Sequence, residues 1–246
     1  MLIGTGPGLF RLDPGAKRAV PMEGELATPD GSGAISRELV LRFSAPRTLL
    51  ASGHPEPGSA LPDDLGLIRS QDGGKAWEVV SLLGQADLHA LDVRGDRVVG
   101  QPVEDDRLLV SENGGRTFQK RTPPSMATDV DLDPANPERL IISTLDGIFT
   151  SDDAGATWRQ REVLTTAAHL AWADDGRIFR VDGGGAVKTS SDAGRSWREA
   201  GIAAGSPTTI TVDAKGRLYV ALPGAVIERS ADGGRTFAPV TRLPAA

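Results

Sequence analysis

Five copies of one pattern, Ser-x-Asp/Asn-x-Gly-x-x-aromatic, constrain this chain more than any other feature of its 246 residues. They are Ser70, Asp72, Gly74, Trp77; Ser111, Asn113, Gly115, Phe118; and Ser151, Asp153, Gly155, Trp158. Ser190, Asp192, Gly194, Trp197 and Ser230, Asp232, Gly234, Phe237 complete the set. The serines fall 41, 40, 39 and 40 residues apart. A sixth, worn copy at Arg11-Leu12-Asp13-Pro14-Gly15 has lost both serine and aromatic. A fixed period near 40 is the mark of a repeat architecture in which each unit is one supersecondary element.

Each copy reads as the turn of a β-hairpin. Strand-forming residues precede it, as in Leu108-Leu109-Val110 and Ile148-Phe149, and a second short strand follows. The glycine supplies the positive φ of a tight turn. The Asp or Asn side chain accepts hydrogen bonds from the turn's own N–H groups, and the serine does so more weakly. The aromatic is expected to fold back as a buried anchor, contributing about 2–3 kcal/mol. These twenty residues are therefore read as structural.

The pattern resembles the Asp-box, or BNR, repeat of sialidases, sortilin-type receptors, photosystem II assembly factors and related β-propellers. The run from Gly53-His54-Pro55 to Asp72-Gly73-Gly74 is similar to a bacterial branch of such proteins labelled as glycosyl hydrolases. The resemblance implies an all-β, six-bladed propeller of four-stranded antiparallel blades, one domain over 1–246. The blades fall at about 1–21, 35–83, 87–122, 127–162, 168–200 and 207–243. A four-stranded meander, A to D with the repeated turn between C and D, cannot cover both faces alone, and a ring of blades solves this.

The first blade is short. Met1–Thr5 matches strand B, Gly8–Leu12 strand C and Lys17–Val20 strand D, so the blade is expected to be three-stranded unless sequence precedes Met1. An export signal would then lie in that part; as it stands the chain reads as cytoplasmic. The sole break in rhythm is the B–C connection of the second blade, residues 53–64. Its prolines and glycines make it semi-rigid, and long ordered loops on rigid scaffolds are where function concentrates.

Composition excludes several classes. There is no cysteine, so disulfides, thiolate catalysis and cysteine metal ligands are out. A net charge of −6 with dispersed Lys and Arg argues against nucleic acid. No apolar run approaches a membrane span. No cofactor is expected, and the chain reads as a monomer.

Connections B–C and D–A share one face of a propeller, opposite the repeated turns. All three histidines fall on that face. His54 opens the long loop, while His89 and His169 share one position at the start of strand A, the rim of the central channel. Glu56, Asp63, Asp64, Glu104, Asp105, Asp106, Asp129 and Asp146 accompany them, and Arg37, Asp87 and Arg180 are further rim or channel candidates. The ligand-binding set is thus His54, His89, His169, Asp129 and Arg37. Imidazoles there suit proton transfer or anion contact. No metal site is expected, because no His-x-His or His-Glu-x-x-His spacing occurs.

The resemblance to sialidases does not carry their chemistry. That family uses a Tyr nucleophile with a Glu partner, an Asp acid/base, three arginines and a Phe/Tyr-Arg-Ile-Pro segment. Here the single tyrosine, Tyr219, alternates with Leu218 and Val220 in a strand, and the tetrapeptide is missing. Two readings stand: a rigid scaffold presenting a His/acid-lined channel mouth to a small ligand, glycan or protein, or a glycoside hydrolase using carboxylates of the same face.

Overall fold

The computed structural model describes residues 1–5 and 8–243, with the side chains of 36–38 excepted. Among them every regular element is a strand, and no helix is present. The chain falls into two compact units, Met1–Arg121 and Thr122–Ala245.

The second unit shows the repeat at its plainest. It holds three four-stranded antiparallel sheets in simple sequential order. In the first, β13 (Asp129–Asp133), β14 (Asn136–Ser143), β15 (Gly147–Ser151) and β16 (Arg159–Val163) form the meander. Next come β17 (Ala168–Trp172), β18 (Ile178–Asp182), β19 (Ala186–Ser190) and β20 (Arg198–Ile202). The third has β21 (Thr209–Val212), β22 (Leu218–Leu222), β23 (Val226–Ser230) and β24 (Ala238–Arg242). These are propeller-type blades, with strand A of each packed on strand A of the next. Both faces are thereby covered: Ile141, Ile148, Leu170, Trp172 and Ile178 form one apolar core between neighbouring sheets.

In the first unit, β1 (Leu2–Thr5), β2 (Gly8–Arg11) and β3 (Val20–Met22) form the expected three-stranded sheet. Its last strand starts later than the sequence suggested, because Asp13–Ala16 closes a turn and Ala16 N–H donates to the Asp13 carbonyl at 3.0 Å. The unit's last sheet is regular: β9 (Leu88–Arg94), β10 (Arg97–Pro102), β11 (Leu108–Ser111) and β12 (Gln119–Arg121).

The second repeat departs from the expected four-stranded blade. It is a closed barrel of five strands: β4 (Gly24–Thr28), β5 (Gly31–Ala45), β6 (Thr48–Pro55), β7 (Leu67–Ser70) and β8 (Ala76–Ser81). Strand β5 has 15 residues; its first part pairs with β4 and the remainder with β6. β4 then lies parallel on the outer strand β8, with Leu26 opposite Trp77. Thus the sheets number five open ones and one closed one, not six alike. The physical reason is local: Thr28-Pro29-Asp30-Gly31 is a tight turn that folds an extra hairpin back onto an exposed sheet edge. That signal was overlooked between the first two blades.

Every repeated turn closes in one way. In the third copy Ser151 Oγ donates to Asp153 Oδ1 (2.7 Å) and accepts from the N–H groups of Asp153 and Gly155 (3.2 and 2.8 Å). Asp153 in turn accepts from the Thr157 N–H and hydroxyl (2.8 and 2.6 Å). Asn113 makes the same bonds through its amide oxygen and gives its NH₂ to Thr117. The Thr157 bonds foremost hold the Asp153 carboxyl down at about 2, and those of Ser196 hold Asp192 at about 2. The aromatics depart from expectation. Only Trp77, beneath β4, is buried, with its indole N–H on the Gly74 carbonyl at 3.0 Å. Phe118, Trp158, Trp197 and Phe237 stay half-exposed because no fifth strand covers them.

The residue before the turn glycine also needs positive φ. Glycine fills that place at 73, 114 and 233, but Ala154 and Ala193 hold φ of 51° and 57°. A Cβ in this region is strained, so Ala193→Gly is expected to raise stability by about 0.5–1 kcal/mol in denaturant titration. Asp153→Ala should lower it by about 1 kcal/mol through lost turn bonds. Because Asp153 and Asp192 titrate low in the folded chain, their contribution is complete above the ordinary carboxylate range. It is lost as pH falls through about 2. Asp153→Asn should flatten that acid limb, as read by thermal unfolding between neutral and strongly acid pH.

Candidate functional site

In the first unit the chain gathers two of its three histidines on one buried carboxylate. β6 runs further than its neighbours' B strands because the leading part of β5 continues to pair with it, Arg37 opposite His54 and Ile35 opposite Pro55. His54 therefore belongs to a strand, not to a loop. The side chain of Arg37 lies outside the described residues. The connection that follows is held down by Leu61 and Leu65, both buried in the barrel core. It returns so that the Asp63 carbonyl meets His54 Nδ1 at 2.9 Å.

Asp87 stands just before β9. Its carbonyl accepts from Val103 N–H at 3.1 Å. The next N–H, of Leu88, donates to Ser52 Oγ of the preceding sheet at 2.9 Å. So pinned, the Asp87 side chain is 4% exposed and places Oδ2 at 2.7 Å from His89 Nε2 and 3.3 Å from His54 Nε2. Its other oxygen, Oδ1, is buried with no hydrogen-bond partner among the described residues. His89 has 56% of its side chain exposed, His54 20%.

Proton positions follow from the partners. A carbonyl only accepts, so His54 Nδ1 carries a proton and donates to Asp63. Neutral His54 would then turn the lone pair of Nε2 toward a carboxylate oxygen. The contact becomes attractive when one proton lies between them, on Asp87 or on Nε2. Burial is the foremost cause acting on Asp87 and raises its carboxyl above the ordinary range. The charges of His89 and His54 and the His89 hydrogen bond pull it back, and the Asp64 charge adds to the rise. The cluster is two imidazoles on one buried carboxylate oxygen, with one exposed end, His89. Its ring nitrogens share one carboxylate oxygen and do not surround an empty point, and no metal-holding group of three such side chains occurs among the described residues.

Of the remaining sequence candidates, His169, Asp129 and Arg180 sit in the second unit and the acidic run 104–106 in the first. His169, second residue of β17 as His89 is of β9, has Nδ1 at 3.8 Å from Asp129 Oδ2. Asp129 uses its oxygens on main chain: Oδ1 accepts from Val130 N–H and Oδ2 from Leu170 N–H, each at 2.9 Å. It clasps β13 to the next blade. Arg180 is buried, donates to Glu162 at 2.7 Å and stacks 5.7 Å from the Trp197 ring. In the acidic run 104–106, Asp105 is gripped by Arg107 and Lys120 and lies well below the carboxylate range. Sequence reasoning missed Ser52, whose hydroxyl sets the Asp87–Leu88 backbone. The available signal was Ser143, which ends strand B of another blade and receives Ala168 N–H in the same way, at 3.0 Å.

No family model and no curated protein matches this chain. Solved structures do. YCF48 bound to a D1 peptide aligns over 92% of this chain and 73% of its own, with TM-score 0.57 and 15% identity. YCF48 from Cyanidioschyzon merolae aligns over 89% and 88%, with TM-score 0.52 and 16% identity. An ancestral GH74 enzyme aligns over 93% of this chain but only 39% of its own, with TM-score 0.54 and 13% identity. The chain resembles the glycosyl-hydrolase type of propeller. At such identities the likeness is one of fold, and what the cluster binds is argued from its own geometry.

Asp87 supplies the pH test of that geometry. A carboxyl raised on folding favours the folded state below its unfolded value and loses that contribution as pH rises through its folded value. Stability should therefore decline across the window just above the ordinary carboxylate range. Asp87→Asn, whose NH₂ can donate to His54 Nε2, should abolish that decline in pH-resolved thermal unfolding.

Proposed function

We propose that the chain is a binding scaffold, a six-bladed propeller over 1–246 in which the five-stranded barrel is the second blade. His54, His89 and His169 with Asp129 and Arg37 stand at one channel mouth. The observation that carries this reading is the buried Asp87 holding an exposed imidazole. With Nε2–H given to Asp87, His89 keeps Nδ1 for a ligand, and that nitrogen is an acceptor whenever the ring carries a single proton. Its ligand is therefore a hydrogen-bond donor, an amide N–H or a hydroxyl. A polypeptide meets that need along its whole length, and the fold's likeness to YCF48, solved with a D1 peptide, supports it. The ligand class is peptide first, with a glycan or small molecule as the other carriers of such donors.

Glycoside hydrolysis is the second reading, and one observation favours it. A carboxylate-bound imidazole is also the arrangement of a general base, and Asp64 lies near enough for its charge to raise Asp87. Hydrolysis of a glycosidic bond requires two carboxyl groups about 5–9.5 Å apart, and Asp64 and Asp87 are the pair this reading would use.

One comparison tests both. The protein and its His89→Ala variant are applied to peptide and glycan arrays and to a panel of chromogenic glycosides. Saturable peptide binding, weakened ~10-fold or more in His89→Ala at unchanged unfolding temperature, is the expected result. Binding that persists in the variant removes the cluster from the site. Turnover of a glycoside lost in both Asp64→Asn and Asp87→Asn would install the hydrolase instead.

A further inference from the structure

The second unit holds a hollow that no histidine lines. It lies between the blades of β17–β20 and β21–β24, measures about 440 Å³ and is lined by Gly184, Ile202, Ala203, Ala204, Gly205, Glu228 and Phe237. Its side-chain walls are Ile202, Ala203 and Phe237, with polar backbone between them; Phe237 is half-buried, and Ile202 offers 67% of its surface to solvent, an unusual state for so large an aliphatic residue. Set among them is one charge. Glu228 is 7% exposed, and one oxygen, Oε2, accepts a 3.2 Å bond from Ala204 N–H. Among the described residues no cation pairs with it and no second donor reaches it.

A carboxylate so placed is unusual in energetic terms. Removing a charge from water costs several kcal/mol unless a partner or several hydrogen bonds compensate. Elsewhere this protein supplies such compensation: buried Arg180 has Glu162, and the turn aspartates have two or three donors each. Glu228 has a single backbone N–H. It also breaks the pattern of its strand, where Val226-Ile227-Glu228 would otherwise run apolar into the core. A carboxylate that takes one protein hydrogen bond and lines an accessible hollow is matched to something that arrives from outside.

We infer that this hollow binds a cation carried on an apolar stem, a primary ammonium or guanidinium such as a lysine or arginine side chain or a small alkylamine. The charged head pairs with the free oxygen of Glu228, and the methylene stem lies along Ile202, Ala203 and Phe237. Long cationic side chains are built this way, apolar along the stem and charged at the tip. An anion is repelled by the same carboxylate, and a neutral alcohol leaves the charge uncompensated, so the hollow selects by charge as well as by shape. The inference is independent of the histidine cluster.

The test is an NMR titration of the full chain, following the amide signals of Ala203, Ala204 and Gly205. The probes are n-butylammonium and n-butylguanidinium, with butan-1-ol and butyrate as neutral and anionic counterparts. Saturable shifts are expected at these amides with both cations and with neither counterpart. Glu228→Gln, which keeps an acceptor for Ala204 N–H, should weaken the cations ~10-fold or more. Ala204→Trp, at an exposed position, should close the hollow while leaving Glu228 in place. A capped lysine amide that binds more tightly than butylammonium would identify a polypeptide as the source, and the reverse order a free amine. Cation shifts that do not saturate, that centre elsewhere, or that survive Glu228→Gln would overturn the assignment.

Discussion

The serine hydroxyl of the repeated turn is the interaction on which the rest of this structure depends. In one position it donates to the Asp or Asn side chain and accepts from two backbone N–H groups, the second being that of the turn glycine. The Asp or Asn side chain then takes the N–H of the residue four positions further on, at the approach to the next strand. Almost every polar group of an otherwise exposed corner is satisfied within seven residues of chain. A hairpin closed locally in this way needs no neighbour to define its register. Repetition every 40 residues or so yields like sheets, each apolar on both faces. Such sheets are stable only when stacked, which is why the apolar clusters lie between blades and not within them.

A second set of bonds converts stacked sheets into a positioned surface. Ser52, within β6, and Ser143, at the end of β14, are both fully buried on strand B of two different sheets, and each accepts the N–H that opens strand A of the next. Asp129 adds a carboxylate clasp of the same kind. Strand A openings are therefore held by their neighbours as well as by their own sheets. His89 and His169 both sit one residue beyond a backbone N–H fixed in this manner, at Leu88 and Ala168. A side chain set there has little freedom to drift, and this is what a binding group on a rigid scaffold requires. Burial of Asp87 behind His89 then adds chemistry to position. The carboxylate orients the ring, and its own reluctance to ionise couples the pair to pH.

Where the repeat is broken, it is broken by covering an edge. The barrel of β4–β8 places a strand on β8, the outer strand that other blades leave free, and so buries Trp77 while its counterparts remain half-exposed. The same elaboration lengthens β5, draws β6 outward through Pro55 and delivers His54 to Asp87. One inserted hairpin thus explains both the buried aromatic and the second imidazole of the cluster. The glycosidase-like and peptide-binding propellers that share this fold differ from it by more than four-fifths of their sequence, and nothing in their likeness bears on these residues.

The all-β class and the turn chemistry were legible in the chain alone, because each is set by contacts within ten or so residues. Ser151, Asp153 and Gly155 specify their turn whatever surrounds them. The three strands of the first sheet were legible too, although its last strand begins at Val20 and not at Lys17. The shared register of His89 and His169 followed from counting along the repeat. Tertiary structure alone decided the rest. Pairing of β4 with β8 joins residues some 50 positions apart, and no local preference encodes a parallel edge contact. The convergence of His54 and His89 on Asp87, the diversion of Asp129 into a clasp, and the isolation of Glu228 in a hollow depend on which strand lies next to which. Burial and the count of donors around a carboxylate belong to the assembled fold, and they separate the acids that hold this protein together from those left to act.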